Sequence, residues 1–335
     1  MQNLHLQGEN ALNSNTVADI SAKTNSSLAN QTRREFLSKG VKMAGAFGAL
    51  SLGINSAFAA EKKTNSNKGA KMQTIFITGS NSGIGKATAL LLAQKGWQVI
   101  ATMRDVKKAG DLAQHKNIVV YPLDITNVAQ VKDTAKAVLS KYEVDVLFNN
   151  AGYGMKARFE DMSEETMFRS INTNILGMVR VTQQFIPHFK KRRKGTILTT
   201  TSLAGEMGLV LDGVYAADKW AQTGICEMLY SELAPYNIVV KTIVPGVVKT
   251  NFQMDTSSMS GYEKMIANQR KILMPDINDI QTAEEVAQDI YTALTDGDNS
   301  RMAYPTGKVC KELYQKRQEM GDEKFRTYIR GLLMA

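Results

Sequence analysis

From Met72 onward, short β-branched runs alternate with longer stretches of helical pattern, and this rhythm constrains the fold more than any other feature of the chain. Six runs read as strands: MQTIFIT (72–78), WQVIATM (97–103), NIVVYPL (117–123), VDVLFNN (144–150), GTILTTT (195–201) and IVVKTIV (238–244). Helical patterns such as GIGKATALLLAQKG and VAQVKDTAKAVLSKY lie between them. The runs are almost continuously apolar, as strands covered on both faces are. Repeated β–α alternation predicts one α/β domain over residues 72–335, a doubly wound parallel sheet in three α/β/α layers. Hydrophobic residues make up 43% of the chain, ample for one large core.

The first strand runs into Thr78-Gly79-Ser80-Asn81-Ser82-Gly83-Ile84-Gly85, which opens the next helix. Glycines at such a junction allow a tight turn and close backbone approach to a pyrophosphate, while the helix N-terminus supplies amide donors and a positive dipole. The spacing is G-x-x-x-G-x-G, and the competing reading is a bare glycine turn.

Further on, Tyr215 and Lys219 stand four residues apart in VYAADKWAQTG, with Ser202 thirteen residues before the tyrosine. Positions i and i+4 are neighbours on one helix face. A free tyrosine has a pKa of about 10, and an adjacent ammonium favours its phenolate, so the pair predicts a proton-transfer site. Alone, this spacing is a weak signal. Behind a glycine turn it points to a nucleotide-dependent oxidoreductase.

TGxxxGIG, Asn149-Asn150-Ala151-Gly152, Ser202, Tyr215-x-x-x-Lys219 and Pro245-Gly246 occur in order. Together they resemble the short-chain dehydrogenase/reductase family, closely from Met72 to Thr250 and more loosely to Gly307. The resemblance implies a Rossmann-type fold and hydride exchange between a nicotinamide and a carbonyl or alcohol. Tyr215 would be the general acid/base, Lys219 would lower its pKa and hold the nicotinamide ribose, and Ser202 would hold the substrate oxygen. Asn174, three before Gly177, fits the family's proton-relay asparagine, which leaves Asn172 as a polar residue on the helix surface. The resemblance also implies nucleotide contacts from Gly79, Ser80, Ser82, Gly83, Ile84 and Gly85. Asn150 and Gly152 would pass beside the adenosine ribose, and Pro245, Gly246 and Thr250 would cradle the carboxamide. Asp124 matches the residue that contacts adenine, or else it caps the following helix, since Asp and Thr126 both cap well.

The end of the second predicted strand, VIATMRD, bears on the choice of cofactor. An acidic residue directly after that strand would accept the ribose hydroxyls and repel a 2′-phosphate. Thr102 and Arg104 occupy the region instead, and a guanidinium suits a phosphate, so NADP(H) is expected over NAD(H). Asp105 is expected to point elsewhere. The chain departs from the family at Asp218, where Ser or Thr usually precedes the lysine. This carboxylate would either pair with Lys219 and weaken its hold on Tyr215, or face solvent.

Substrate selectivity is expected in GEMGLVLDG, between Ser202 and Tyr215, and in the segment after Thr250. Met207, Leu209, Val210, Leu211, Phe252, Met254, Met259, Tyr262 and Met265 make these stretches apolar and adaptable, though core packing accounts for about half of such residues. A hydrophobic ketone or secondary alcohol is the expected substrate.

The first 31 residues, rich in Asn, Ser, Gln and Thr, bury too little to offset their ordering entropy. Then come Arg33-Arg34-Glu35-Phe36-Leu37, a weakly apolar stretch broken by Gly45, Gly48 and Gly53, and Ala57-Phe58-Ala59. This order resembles a twin-arginine export signal, so residues 1–59 read as a polar leader plus signal peptide and 60–71 as a linker. Cleavage after Ala59, transient engagement of the twin-arginine export machinery and a periplasmic location follow, with a cytoplasmic one if the signal is misread.

The net charge is +9, yet its one dense run, Lys190-Lys191-Arg192-Arg193-Lys194, ends a helical segment whose dipole favours cations. Nucleic-acid binding is not expected. Neither is a metal site, since three scattered histidines and two cysteines show no ligand spacing, and two cysteines make no disulfide framework. A homo-oligomer, dimer or tetramer, is implied by the family. Two other readings compete with the oxidoreductase. One is a nucleotide-binding regulatory or scaffold protein on this fold, although such proteins often lose a catalytic side chain. The other is an isomerase or dehydratase, which would need a larger C-terminal substrate domain.

Overall fold

The computed structural model describes residues 72–335 apart from positions 253, 257 and 258. The expected export signal, its cleavage site and the linker therefore lie outside the described residues. The first strands are β1 (Thr74–Ile77), β2 (Gln98–Met103), β3 (Ile118–Pro122) and β4 (Val146–Asn149), as the sequence pattern predicts. A short β5 (Gly154–Lys156) precedes β6 (Gly195–Thr200) and β7 (Ile238–Pro245). After them come β8 (Val248–Lys249), β9 (Met254–Thr256), β10 (Gln281–Thr282) and β11 (Ala303–Thr306).

Seven strands form one parallel sheet in the order β11-β7-β6-β4-β1-β2-β3. Both β2 and β4 neighbour β1, so the winding reverses there and opens a crevice at the C-terminal strand ends. The seventh strand, β11, is not among the expected ones. Its AYPT sequence carries Pro305, which lacks an amide proton and is tolerated on a sheet edge, where β11 lies against β7. Two small parallel pairings, β5 with β9 and β8 with β10, link loops at the crevice end.

The helices are α1 (Gly83–Gln94), α2 (Val128–Leu139), α3 (Glu164–Ile171), α4 (Met178–Arg192) and α5 (Gly213–Leu233), then α6 (Glu263–Leu273), α7 (Ala283–Thr295), α8 (Lys308–Met320) and α9 (Asp322–Met334). Side chains alternate across each strand, so every central strand feeds two cores. Ile75, Ile77, Val99 and Phe148 pack with Leu92 of α1 and Val286 and Ile290 of α7. Phe76, Ile100, Leu147 and Ile197 face the other way, onto Val138 of α2, Phe185 and Phe189 of α4, and Leu229 of α5. A third cluster joins Leu203, Met207 and Val244 to Leu313 of α8 and to Phe325, Ile329 and Leu333 of α9.

The basic run terminates α4, with Arg193 in the left-handed region at φ 50°. Arg192 bonds Glu143 and Asp145 at 2.6 and 2.7 Å, so part of the run is tied into the fold. Cys226 and Cys310 are both free and buried, and burial pushes their thiols up to about 11 and about 12. Helix α2 is capped by Asn127, whose side chain accepts from the Gln130 amide, rather than by Asp124 or Thr126. Asp124 instead closes a local turn, accepting from Thr126 N at 2.9 Å and from its hydroxyl at 2.7 Å. The cap expectation is thereby corrected, and the half-buried Asp124 stays at the crevice end of β3.

Candidate active site

The glycine turn follows β1 and enters α1 at the point where the winding reverses. Gly79 and Gly83 have φ of +70° and +53°, backbone that favours glycine. A Cβ on Gly85 would collide with the Gly79 carbonyl oxygen and lie 2.5 Å from Asn150 Nδ2. The turn is drawn in by Asn150, whose amide donates to the Thr78 and Gly79 carbonyls at 3.1 Å each. Ser80 faces inward, its amide donating to Thr102 O at 2.9 Å and its hydroxyl to Ile77 O at 3.2 Å, so it braces the turn.

Ser82, by contrast, is exposed at the helix start and its hydroxyl makes no cap bond. Half-buried Ile84 packs on the core behind it. Thr250 comes within 3.4 Å of the Cβ that Gly83 lacks, which brings the post-β7 loop to the turn. Pro245 ends β7, and Gly246 is pressed by Cys310 of α8, 3.1 Å from where its Cβ would sit. A glycine-tight turn with an open helix N-terminus fits a dinucleotide pyrophosphate. Arg104 stands exposed immediately after β2, and the Asp105 side chain is turned to the Lys107 amide at 3.0 Å.

The residues expected to move the proton gather at the same C-terminal end of the sheet. Ser202 follows β6, where its hydroxyl accepts from the Ala204 amide at 3.1 Å and hydrogen-bonds Tyr215. Helix α5 carries Tyr215 and Lys219 on one face, with the ammonium 5.6 Å from the tyrosine ring centroid. Lys219, only 5% exposed, donates to the Thr200 carbonyl at 2.8 Å and to Gln222 Oε1 at 2.9 Å. Burial lowers its pKa to about 8, against the opposing charge of Asp218.

The expected lowering of the tyrosine pKa by Lys219 is not what this arrangement gives. Burial pushes the Tyr215 hydroxyl above its ordinary value and Ser202 pulls it back, while Asp212 and Asp218 push it further up. Burial is the largest cause, and the ammonium, 5.6 Å from the ring centroid, bonds to Thr200 and Gln222 rather than to the phenol.

Asp218 also departs from both expectations. It is 0% exposed and is bonded by neither Lys219 nor solvent. Its Oδ2 accepts from the Ser170 hydroxyl at 2.6 Å and from Asn174 Nδ2 at 2.8 Å, whereas Oδ1 has no partner. Desolvation raises its pKa, opposed by those two hydrogen bonds and by the charge of Lys219.

Asn174 lies in a π-helical stretch, Asn172–Gly177, between α3 and α4. Such insertions re-aim backbone groups and recur at functional sites. Its side chain clamps the Tyr153 backbone, accepting from N at 3.1 Å and donating to O at 3.0 Å. Asn174 Oδ1 would lie 2.9 Å from a Cβ on Gly152, which ties the stretch after β4 to this network. Asn172 bonds Arg180 at 2.8 Å, outside the network.

Sequence reasoning missed Gln222, Ser170 and the Asp212–Lys156 ion pair beside the tyrosine. Gln222 had a legible signal, since positions 215, 219, 222 and 226 share one face of α5 and a glutamine on a buried stripe needs partners.

The substrate segments divide cleanly. Met207, Leu209, Val210 and Met265 pack onto α8 and α9, as core. Phe252 is 45% exposed with its ring 6.1 Å from that of Tyr215, and Met162 and Met155 reach toward Gly213 at the start of α5. Leu211, at φ 65°, is buried, and its carbonyl accepts from Ala157 N at 2.9 Å.

The arrangement is a dinucleotide-type crevice with Ser202, Tyr215 and Lys219 gathered on its rim, and known proteins share the fold. The model of the short chain dehydrogenase family matches residues 73–261. An uncharacterised oxidoreductase of Schizosaccharomyces pombe is 30% identical over 227 residues, 67% of this chain and 96% of the relative. Human 17-beta-hydroxysteroid dehydrogenase type 1 is 31% identical over 244 residues, 66% and 73% of the two chains. The crystal structure of a short-chain dehydrogenase from Streptomyces avermitilis superposes with a TM-score of 0.69 at 26% identity, covering 75% of this chain and 93% of that one. The chain belongs to the short-chain dehydrogenase family, whose members are NAD(P)-dependent oxidoreductases of CH–OH and C=O groups.

Proposed function

We propose that the protein is an NADP(H)-dependent oxidoreductase that interconverts a small hydrophobic ketone and its secondary alcohol. The observation that carries this reading is the convergence of Ser202, Tyr215 and Lys219 with the glycine turn at the C-terminal end of the sheet's central strands. The bound nicotinamide would supply or accept the hydride. Around it, Gly79, Gly83, Gly85 and the start of α1 hold the pyrophosphate, and Asn150, Gly152 and Asp124 line the adenosine side. Pro245, Gly246 and Thr250 frame the carboxamide end.

Ser202 orients the substrate oxygen by hydrogen bond, and Tyr215 donates its proton to that oxygen in reduction or withdraws it in oxidation. Lys219 is placed to hold the nicotinamide ribose, and Asn174 holds the Tyr153 backbone and the Asp218 carboxylate beside it. Phe252 supports an apolar substrate, because it sets an aromatic wall beside the reacting hydroxyl. The human relative, by its name, acts on hydroxysteroids.

Arg104 supports NADP(H), with no carboxylate competing for the position after β2. Arg104→Ala is expected to weaken NADPH about 10- to 100-fold, the loss of a charged hydrogen-bonded contact, while leaving NADH within about twofold. Fluorescence titration with each nucleotide measures this, and equal losses for both would refute the assignment.

The Arg33-Arg34 segment supports export to the periplasm by the twin-arginine route. Exposed Phe168, Ile171, Trp220 and Met228 on α3 and α5 support self-association as a dimer or tetramer. Recovery of the processed chain, starting near Ala60, from the periplasmic fraction with NADP bound is the expected result. A chain of full length found only in the cytoplasm would remove the export reading.

A further inference from the structure

We propose that Gln222 is a positioning residue of the proton-transfer site: its amide bridges Lys219 to the Asn174 backbone and closes the inner side of the ammonium to water. This rests on the oxidoreductase reading above and adds a residue that reading does not use.

Gln222 is 2% exposed, and both ends of its amide are committed. Nε2 donates to the Asn174 carbonyl at 2.6 Å, and Oε1 accepts from Lys219 Nζ at 2.9 Å. The first bond sets the second: an amide anchored by its NH2 group must turn its oxygen to the ammonium. The acceptor exists because the π-helical stretch presents the Asn174 carbonyl to α5. With Thr200 O and Gln222 Oε1 filling two of the three ammonium donors, one N–H remains uncommitted among the described residues. Gln222 also links the lysine to the Asp218 carboxylate by way of Asn174, whose backbone it holds while Asp218 holds the side chain.

The groups packed around Lys219 define what a titration reports. On α5 itself the charge-bearing neighbours are Asp218 and Cys226, with the Tyr215 ring above. Strand β6 contributes only the Thr200 carbonyl. The π-helical stretch and α3 contribute Asn174 and Ser170, which carry no charge. Among the described residues Gln222 is therefore the one neutral side chain bonded to the ammonium, and changing it alters the lysine directly.

The test is the titration of Lys219 in the full chain labelled with 13C-lysine, followed by NMR at Cε and assigned by loss of the signal in Lys219→Arg. The parent midpoint is expected near about 8. Gln222→Leu keeps the bulk but removes an acceptor from the charged form, so the midpoint should fall by about one pH unit. Gln222→Glu places a carboxylate on the ammonium, so it should rise by about one unit.

A packing role alone would not move the two variants in opposite directions. An unchanged midpoint in both, or displacement of both the same way, would overturn the proposal. If Gln222→Leu fails to fold, an unchanged midpoint in Gln222→Glu does so by itself. With acetophenone and NADPH as probe, the alkaline limb of the kcat profile should follow the same shifts. Opposite NMR shifts with no turnover of any probe ketone would leave the Gln222 link standing and refute the oxidoreductase reading instead.

Discussion

Tyr215→Phe is expected to lower kcat by at least roughly a thousandfold, within the range that general acid–base groups supply, with nucleotide affinity nearly unchanged. The substitution removes one hydroxyl. The ring keeps its place beside Phe252, and Lys219 keeps its bonds to Thr200 and Gln222, neither of which depends on the phenol. Ser202 loses its tyrosine partner but retains the Ala204 amide. A defect confined to turnover is therefore the signature of proton transfer, and a parallel loss of NADPH binding would point to a structural fault. Steady-state kinetics on a probe ketone, read beside a nucleotide titration, separates the two. Wild-type turnover by the variant would end the proposed mechanism.

Gly85→Ala is expected to impair the other half of the machinery. Its Cβ would meet the Gly79 carbonyl and the Asn150 amide, two groups that hold the turn closed, so the backbone has to move. Overpacking of this kind costs about 1–3 kcal/mol, which lowers Tm by about 2–10 °C in a domain of this size. Nucleotide affinity should fall more than about tenfold, because displaced turn amides no longer meet the pyrophosphate. Gly331→Ala in α9, where nothing lies within 4 Å, is the control and should leave affinity intact and Tm no lower than the parent's. Thermal melts with and without NADPH report both effects, and a Gly85→Ala protein that melts and binds like its parent would contradict the close-packed turn.

The parallel sheet was legible because its central strands are buried on both faces and so run apolar without interruption. Strand β11 escaped because an edge strand needs neither continuous apolarity nor every amide, and AYPT has neither. The proton-transfer residues were legible as spacing, since i and i+4 on one helix fix adjacency. What spacing does not encode is where each polar atom ends up. Asp218 was set against Lys219 or solvent, yet Ser170 and Asn174, both more than forty residues upstream, claim its carboxylate. The tyrosine hydroxyl is raised chiefly by burial, which spacing does not encode either, and Lys219 takes acceptors on β6 and in Gln222 that no local pattern announces. In the substrate segments, hydrophobicity alone did not separate Met207, which faces α8 and α9, from Phe252, which faces the tyrosine.

The pairing of β9 with β5 gives the mouth of the crevice a particular character. Strand β9 belongs to the segment after Thr250, and it pairs in parallel with residues 154–156, just beyond Gly152. A flap hung on a flexible tether would drift through every degree of opening. One fastened by a ladder behaves as a latch, either zipped or released. Opening there would require breaking the backbone pairing of three residues with residues 154–156, and not only moving side chains. Size selection would then reside in the backbone, and exchanging the apolar side chains around Phe252 would retune which shapes are held without changing which are admitted.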